Sequence, residues 1–514
     1  MWNLLRSILF ALTTSVASAQ PTIAWQHNYG GSANEFPGSI QPTTDGGYIV
    51  LAFSYSNDGQ VTGNHGQADF WAVKLDGSGE LEWQRCFGSS GTDSPGAMQQ
   101  TPDGGYIAVG TANTADGDIT SNAGLSDIWA VKLSATGTLE WERSYGGSLT
   151  ETGRWLHVLP NGEVLLFGET SSPEIEGSLG LRDVFVIRIA SDGSQLDHHR
   201  YGGTDEDLIG YFGYLQDGSL MFSGSTYSSN GHAEGNHGGT DGMVISLDEN
   251  LDANWHACIG GSAGENATAI CEDIDGNIYV CVASNSQNSQ ITNFHGGTDF
   301  WIAKLSAGGD FLMGNSFGGS ENDLPWSIIP RPDGGVYVSG VVVSSDDDIT
   351  TPLGGFDAWL ISLDEDLNLL WERTLGGSNH DTGISMCFAP DGGLVLAGNS
   401  SSSDGDLTGN FGGGDLWVVK FNPEEVGISE AGSMPSSLSV TPNPATDRVM
   451  AQWPNLDATR IEVFDARGRM IYQKELLPSV QRQLEIPAQS WDQGLYTVCL
   501  RTATDRVTQR FIKQ

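Results

Sequence analysis

The chain has 514 residues, of which 69 are glycine and 19 are proline, a balance typical of a folded protein rich in tight turns. Its formal net charge is −41 at pH 7. This acidic excess disfavours binding to nucleic acid or to anionic membrane surfaces, because their phosphates would repel the protein.

The first predicted element is a secretory signal peptide at residues 1–19. Arg6 gives it a basic start, residues 7–12 are apolar, and small residues precede a predicted cleavage site between Ala19 and Gln20. No other segment has the roughly 18 apolar residues that a membrane-spanning helix requires. We therefore expect an exported, soluble protein.

Residues 21–422 contain seven copies of one repeat, spaced by 58, 58, 56, 58, 58 and 58 residues. Three series of residues keep this spacing. The residues before a Gly-rich turn are Tyr29, Phe87, Tyr145, Tyr201, Ile259, Phe317 and Leu375. The residues at the start of a β-rich run are Asp69, Asp127, Asp183, Asp241, Asp299, Asp357 and Asp415. The residues of a tight turn are Asp45, Asp103, Asn161, Asp217, Asp275, Asp333 and Asp391.

Each copy contains four short β-rich runs, which in the second copy are residues 96–102, 106–110, 127–133 and 139–145. Four antiparallel strands per repeat predict the blade of a β-propeller. The seventh copy lacks a fourth strand, whereas residues 23–30 match the fourth-strand pattern. Since an open sheet edge promotes incorrect pairing, we expect this N-terminal strand to complete the last blade. The predicted fold is all-β: a seven-bladed β-propeller closed by an N-terminal strand, followed by a small Ig-like β-sandwich.

Tryptophan recurs at two repeat positions, which we interpret as packing between blades rather than as a ligand platform. These residues are Trp25, Trp83, Trp141, Trp255 and Trp371, and Trp71, Trp129, Trp301, Trp359 and Trp417. The six cysteines allow two interpretations: a cross-strand disulfide between Cys271 and Cys281, or small buried core residues.

One carboxylate recurs at the entrance to each innermost strand, so closure of the ring predicts seven of them near the mouth of the central channel. These channel-rim candidates are Glu35, Asp93, Glu151, Asp207, Glu265, Asp323 and Asp381. They either cap their own loops by accepting backbone N–H bonds or form a rim that attracts cations.

Three long loops carry a pattern that suggests calcium binding. In each of them an Asp-x-Asp pair is followed nine residues later by the repeated Asp. Hard cations favour such clusters of oxygen ligands. The calcium candidates are Asp116, Asp118, Asp127, Asp346, Asp348, Asp357, Asp404, Asp406 and Asp415. The alternative is that these are acidic, solvent-exposed turns without a metal, and the spacing differs from that of an EF-hand loop.

The sequence carries no catalytic motif: it lacks a His-Glu-x-x-His segment, a nucleophile elbow and a phosphate-binding loop. We therefore expect no catalytic residue and no residue dedicated to an organic cofactor. His65, His237 and His295 share a loop position that other copies fill with Ala123, Leu353 and Phe411, which argues against a metal site at that position.

Residues 423–437 break the repeat and are predicted to be a linker. Residues 438–514 contain 10 of the 23 Lys and Arg residues but only 8 of the 64 Asp and Glu residues. The rest of the chain therefore has 13 basic and 56 acidic residues, a net charge of −43. This change in charge marks a domain boundary.

The segment 438–514 contains Thr441-Pro-Asn-Pro-Ala445, residues 461–469, Gly494-Leu-Tyr-Thr-Val498 and Arg510-Phe-Ile-Lys513. In this order they resemble the type A sorting domain of the type IX secretion system of Bacteroidetes, and short alternating strands predict a small sandwich. The resemblance implies export across the outer membrane by that machinery, removal of the domain, and release or attachment to surface lipopolysaccharide. An adhesive module that stays attached is the alternative.

Residues 318–323, 333–340 and 357–363 resemble the bacterial seven-bladed β-propeller repeat family, over roughly residues 21–422. The resemblance supports the architecture more than a function. Residues 75–83 are similar to the tryptophan-docking motif of quinoprotein dehydrogenases, although the number of copies differs from that family.

From these observations we predict a secreted or cell-surface binding module for a glycan or a protein. A secreted carbohydrate-active enzyme, a lyase or hydrolase that uses the acidic propeller face, is the alternative.

Overall fold

The computed structural model describes residues 20–215, 218–423, 438–453, 458–465, 470–476, 482–491, 493–501 and 506–513. The predicted signal peptide, including Ala19, and nearly all of the predicted linker lie outside the described residues, whereas Gln20 lies within them. Gln20 donates a side-chain hydrogen bond to the carbonyl of Glu372 at 2.7 Å. The described helical content is one short 3₁₀ helix, Gly231–Ala233.

The strands before residue 423 form seven four-stranded antiparallel sheets. The strand that precedes the first blade in the chain is β1 (Ile23–Tyr29). The first blade contains β2 (Glu35–Pro42), β3 (Tyr48–Ser54), β4 (Asp69–Leu75) and β5 (Leu81–Phe87). The second contains β6 (Ser94–Gln100), β7 (Tyr106–Ala112), β8 (Asp127–Leu133) and β9 (Leu139–Tyr145). The third contains β10 (Glu151–Val158), β11 (Val164–Thr170), β12 (Asp183–Ile189) and β13 (Gln195–Tyr201).

The remaining blades follow the same order. The fourth contains β14 (Asp207–Tyr214), β15 (Leu220–Thr226), β16 (Asp241–Leu247) and β17 (Ala253–Ile259). The fifth contains β18 (Glu265–Glu272), β19 (Ile278–Ser284), β20 (Asp299–Leu305) and β21 (Phe311–Phe317). The sixth contains β22 (Leu324–Pro330), β23 (Val336–Val342), β24 (Asp357–Leu363) and β25 (Leu369–Leu375). The seventh contains β26 (Ser385–Phe388), β27 (Leu394–Ser400), β28 (Asp415–Phe421) and β1.

The sheets are arranged in a closed ring. Each innermost strand contacts the innermost strand of the next blade, from β2 through β6, β10, β14, β18 and β22 to β26, and β26 contacts β2. The seventh sheet has the order β1-β28-β27-β26, with Ile23 opposite Phe421 and Tyr29 opposite Leu416. The predicted all-β propeller, closed by an N-terminal strand, is therefore confirmed.

The hairpin after each innermost strand contains an Asp-Gly or Asn-Gly pair, which is extended to Asp-Gly-Gly in four of the seven blades. In the first blade Gly46 has a φ of +88°, which glycine adopts without steric cost. The Oδ1 atom of Asp45 accepts the amide of Gly47 at 3.0 Å, and the buried Lys74 ammonium lies 3.0 Å from the other carboxylate oxygen. The turn is thereby anchored to the third strand of its own blade.

Tryptophans pack the blades together at two depths. The tryptophans located two positions after the repeated Asp are fully buried. They are Trp71, Trp129, Trp301, Trp359 and Trp417. Four of the five on the outermost strands lie against a glycine in the outer turn of the next blade, as Trp83 does against Gly137, and the fifth, Trp371, packs in a buried core cluster. The predicted packing role therefore describes both sets.

Replacing Gly137 by alanine is expected to lower the melting temperature. Gly137 has a φ of +77°, and an added Cβ would lie 2.9 Å from the Trp83 ring. Strain and steric clash together should lower Tm by about 3–5 °C, measured by differential scanning calorimetry. Gly104→Ala is the matched control, because its φ is +84° but its Cβ would meet nothing within 4 Å. Equal losses in the two variants would contradict a contribution from the Trp83 contact.

Of the two interpretations of the cysteines, the Cys271–Cys281 disulfide is wrong, and the alternative of small buried residues describes both. In the β18–β19 ladder Cys271 lies opposite Tyr279, and Cys281 lies opposite Ala269. The turn between these strands is longer than the three residues that direct opposition would need, because Glu272 already pairs with Ile278. All six cysteines are free thiols, and five of them are buried.

The C-terminal unit is a sandwich of two antiparallel sheets. One sheet has the order β29-β30-β33, from β29 (Ser439–Thr441), β30 (Arg448–Gln452) and β33 (Gln483–Pro487). The other has the order β32-β31-β34-β35, from β31 (Arg460–Asp465), β32 (Met470–Glu475), β34 (Gly494–Arg501) and β35 (Arg506–Lys513). Trp453, Val463 and Phe511 pack in the core between the sheets.

Candidate functional site

The seven innermost strands share a pattern of burial that defines the wall of the central channel. The repeated carboxylate at the start of each strand is buried, and the residue after it is exposed or half-buried. The residue three positions after the carboxylate is also exposed or half-buried, and in six blades it lies at a break in the β-ladder. Because these strands surround the central channel, we infer that their exposed positions line its mouth.

The channel-facing positions form two rings near the loop-bearing side. The outer ring consists of Phe36, Ser94, Thr152, Leu208, Asn266, Leu324 and Thr382. The inner ring consists of Gly38, Gly96, Arg154, Gly210, Thr268, Trp326 and Ile384. These positions differ from blade to blade, although the residues on either side of them are repeated.

Aromatic and apolar side chains are exposed on one part of this wall. Trp326 is 44% exposed and Phe36 is 40% exposed. Beside the strand of Phe36, the rings of Phe53 and Tyr55 meet edge to face with their centroids 4.9 Å apart. Large exposed apolar patches are typical of binding surfaces, whereas single exposed apolar side chains occur on any protein.

These channel residues were not predicted from the sequence. The predicted site residues occupy positions that the repeat keeps constant, whereas the residues that distinguish one part of the channel from another occupy positions that vary between copies. Two variable positions between buried, repeated neighbours are the signal that would have identified them.

A group of charged residues lies in the third blade. Glu169 is 1% exposed, and its carboxylate lies 3.0 Å from Nη2 of Arg182 and 3.5 Å from Nε of Arg154. Arg182 Nη2 also donates to the Oγ1 atom of Thr152 at 2.6 Å. The Nε atom of Arg182 is buried and has no hydrogen-bond partner among the described residues.

The predicted channel-rim carboxylates lie at the entrances of the innermost strands, but they are buried between blades rather than facing solvent. All seven are at most 1% exposed. Each accepts the backbone amide four residues before it, for example Gly31 to Glu35 at 3.0 Å and Ser89 to Asp93 at 2.6 Å. Their contacts are those of loop-capping groups, because each carboxylate accepts a backbone amide of the loop that precedes its own strand.

Each of these carboxylates faces the repeated Asp of the preceding blade. The Cβ position that Gly146 lacks lies 2.5 Å from both Asp127 Oδ1 and Glu151 Oε2, and the same arrangement recurs at Gly30 with Asp415 and Glu35. The Oδ1 atom of the repeated Asp is buried without a hydrogen-bond partner, within the described residues, in all seven blades. Burial raises the pKa of Asp415 to about 6, and the Glu35 carboxylate adds to the rise.

Basic side chains reach the repeated Asp in only some blades. Arg200, with its side chain 1% exposed, binds Asp183 through Nε at 3.0 Å and through Nη2. His65 and His237 each lie 2.7 Å from the repeated Asp of their own blade. Asp127, Asp357 and Asp415 lie in the blades that carry Ala, Leu and Phe at this loop position.

The calcium candidates are divided between different junctions. Asp118 Oδ2 accepts the amide of Gly88 at 3.3 Å, so it lies at the junction of Asp69 and Asp93 rather than with Asp127. Asp348 and Asp406 make the corresponding bonds to Gly318 and Gly376.

The first residue of each Asp-x-Asp pair also accepts a backbone amide, as Asp116 does from Ser90 at 2.7 Å. The described residues contain no group of three or more His, Cys, Asp or Glu side chains placed to hold a metal ion. Calcium binding by the nine candidate residues stays a prediction.

A surface depression lies between the fifth and sixth blades, lined by His295, Phe317 and Asp348 among others. His295 lies between two carboxylates, with Nδ1 3.3 Å from Asp299 and Nε2 3.7 Å from Asp348. His65 has the same two contacts in the first blade. The arrangement therefore recurs between blades. The residues of the channel wall, by contrast, differ from one blade to the next.

Comparison with known proteins assigns the C-terminal unit. Residues 439–514 match the family described as the secretion system C-terminal sorting domain. No curated protein matches the chain. No helix within the described residues is long and apolar enough to cross a membrane.

Solved structures with a similar fold have low identity to the chain. The Pan2 WD40 domain of Neurospora crassa is 11% identical, with a TM-score of 0.43 over 77% of this chain and 91% of that chain. YCF48 bound to D1 peptide is 10% identical, with a TM-score of 0.42 over 80% of this chain and 99% of that chain. Such distant likenesses carry no information about ligand or activity. The chain thus combines a β-propeller with a C-terminal sorting domain of the type IX secretion system, and it is a secreted or cell-surface protein.

Proposed function

We propose that the propeller is an extracellular glycan-binding module that receives its ligand at the channel mouth. The observation that carries the proposal is the exposure of Trp326 and Phe36 on strands that line the channel. Aromatic faces stack on the apolar faces of sugar rings, and the amide and hydroxyl groups of Asn266 and Thr268 supply hydrogen bonds beside them.

Binding is favoured over hydrolysis by the composition of the same wall. Glycoside hydrolysis requires a pair of carboxyl groups beside the scissile bond. None of the fourteen positions in the two channel rings holds Asp, Glu, His or Cys. The nearby acidic groups are Glu169, which pairs with Arg154 and Arg182, and the buried carboxylates at the blade junctions, which accept backbone amides.

Replacing Trp326 by alanine should weaken glycan binding by about tenfold or more, because a buried aromatic contact is a typical binding hot spot. The protein would be screened against a glycan array, and the dissociation constant of the best ligand would be measured by isothermal titration calorimetry. Leu196→Ala is the control, because Leu196 is 52% exposed but lies on the outermost strand of the third blade.

Two results would contradict the proposal. Unchanged affinity in Trp326→Ala would remove the channel mouth as the binding site. Release of shorter oligosaccharides from a polysaccharide would show a lyase or hydrolase instead of a pure binding module.

A further inference from the structure

The third blade places a guanidinium group in the channel where six blades do not. Arg154 occupies the inner-ring position that is filled in the other blades by Gly38, Gly96, Gly210, Thr268, Trp326 and Ile384. Its side chain is 51% exposed. It is the one charged residue among the fourteen positions of the two rings.

Arg154 and Arg182 have one carboxylate between them. Glu169 is the carboxylate that Arg154 contacts, and it already has an ion pair with Arg182 and accepts the amide of Ile209 at 3.3 Å. Two guanidinium groups therefore share one carboxylate, and neither makes a second ion pair within the described residues. The other blades have uncharged residues at the repeat positions of Glu169 and of Arg182.

Arg182 alone is enough to neutralise Glu169, since one basic partner compensates a buried carboxylate. Glu169 therefore does not require Arg154. Arg154 contacts Glu169 through Nε at 3.5 Å, which leaves the two terminal nitrogens of its guanidinium group for another partner. Five donors in a planar fork bind a carboxylate or a sulfate in a bidentate manner, which an ammonium group cannot do.

The position of Arg154 relative to the aromatic wall sets the geometry of the ligand. Arg154 lies in the third blade and Trp326 in the sixth, which is the widest separation available in a ring of seven sheets. A ligand that contacts both must lie across the channel mouth, with a sugar face on Trp326 and an anionic group at Arg154.

We propose that the channel mouth selects acidic glycans by binding a carboxylate or sulfate group of the sugar to Arg154. This inference rests on the proposed glycan-binding function and specifies its ligand class. Selectivity comes from a short-range contact, because the net charge of −43 outside the sorting domain repels polyanions at longer range. Binding is therefore best measured at about 150 mM salt, where the Debye length is about 8 Å.

The test compares three probes by isothermal titration calorimetry: an alginate-derived oligouronate, a sulfated galactan oligosaccharide and a neutral laminarin oligosaccharide. At least one acidic probe should bind about tenfold more tightly than the neutral one, and Arg154→Gln should abolish that preference without changing neutral binding. Loss for the uronate alone identifies a carboxylate, and loss for the galactan alone identifies a sulfate.

Arg85→Gln is the matched control, because Arg85 is an exposed arginine on the outermost strand of the first blade. An equal loss in Arg85→Gln, or no loss in Arg154→Gln, would overturn the inference. Binding of the neutral probe alone would overturn it while the proposed glycan-binding function stands, whereas no binding of any glycan would refute both. A thermal melt of Arg154→Gln should match that of the unmodified protein, because Glu169 keeps its bond to Arg182.

Discussion

Deleting residues 20–29 is expected to prevent the propeller from unfolding as one cooperative unit. The deletion removes β1, whose residues pair with β28 from Phe421 to Leu416. It also removes Tyr29, which is 3% exposed and donates a hydrogen bond to the carbonyl of Gly79 in the first blade. The uncovered edge of β28 should promote aggregation, and Tm should fall by about 10 °C or more in scanning calorimetry.

A rearranged chain provides the control for this deletion. The amide of Asn422 already donates to the carbonyl of Thr22 at 2.8 Å, so β1 can follow β28 through a short hairpin. Inserting residues 22–29 after Asn422, through a glycine-rich turn, should restore the melting temperature in the shortened protein. If the deletion leaves Tm unchanged, the strand does not hold the ring closed.

The same substitution at two equivalent repeat positions should have opposite effects on stability. Asp183→Asn leaves the buried guanidinium of Arg200 without its negative partner, which typically costs about 3–5 kcal/mol. Asp415→Asn removes a buried negative charge that has no basic partner and faces Glu35. Its new amide can occupy the position of Oδ1, which lacks a hydrogen-bond partner among the described residues, and donate toward Glu35.

The stabilisation by Asp415→Asn should depend on pH. Burial raises the pKa of Asp415 to about 6 from the ordinary 3.8. The group therefore contributes stability while it is protonated, and this contribution is lost as the pH rises through about 6. The variant should melt about 3 °C above the unmodified protein near pH 8 and only about half as far above it near pH 5, because the unfolded chain is already ionised above pH 3.8.

Asp103→Asn tests the sign of this effect. Side-chain and backbone hydrogen bonds from Thr101 and Gly105, together with Lys132, lower the pKa of Asp103 to about 2 despite its partial burial. That carboxylate stabilises the folded state above its ordinary pKa, so its loss should lower Tm equally at both pH values. A constant difference between Asp415→Asn and the unmodified protein across the same range would contradict the assignment.

The architecture was predictable because the same four-strand pattern recurs in seven copies along the sequence. Seven copies of the repeated Asp and of the Asp-Gly or Asn-Gly turn predict the strand order, and the extra strand pattern at residues 23–30 predicts the closure. Each copy confirms the others, so an error in one loop does not change the fold. The sorting domain was predictable for a different reason, since its short motifs occur in a fixed order.

The site was less predictable because the repeat pattern does not indicate which blade each long loop contacts. Asp118 and Asp127 are close in the chain, yet Asp118 bonds to Gly88 at the preceding junction. The loop crosses over the junction, so nearness in sequence grouped carboxylates that the fold separates. The burial of Glu35 and its counterparts likewise depends on contact between blades, which no single copy reveals.

The pairing of β1 with β28 also affects the order in which the protein is completed. β1 is made nearly four hundred residues before β28, and a contact of such long sequence separation is slow to form. Until β28 is made, the seventh sheet lacks both of its outer strands. A polypeptide that stops before Asp415 would therefore leave β27 as an uncovered sheet edge, which favours incorrect pairing.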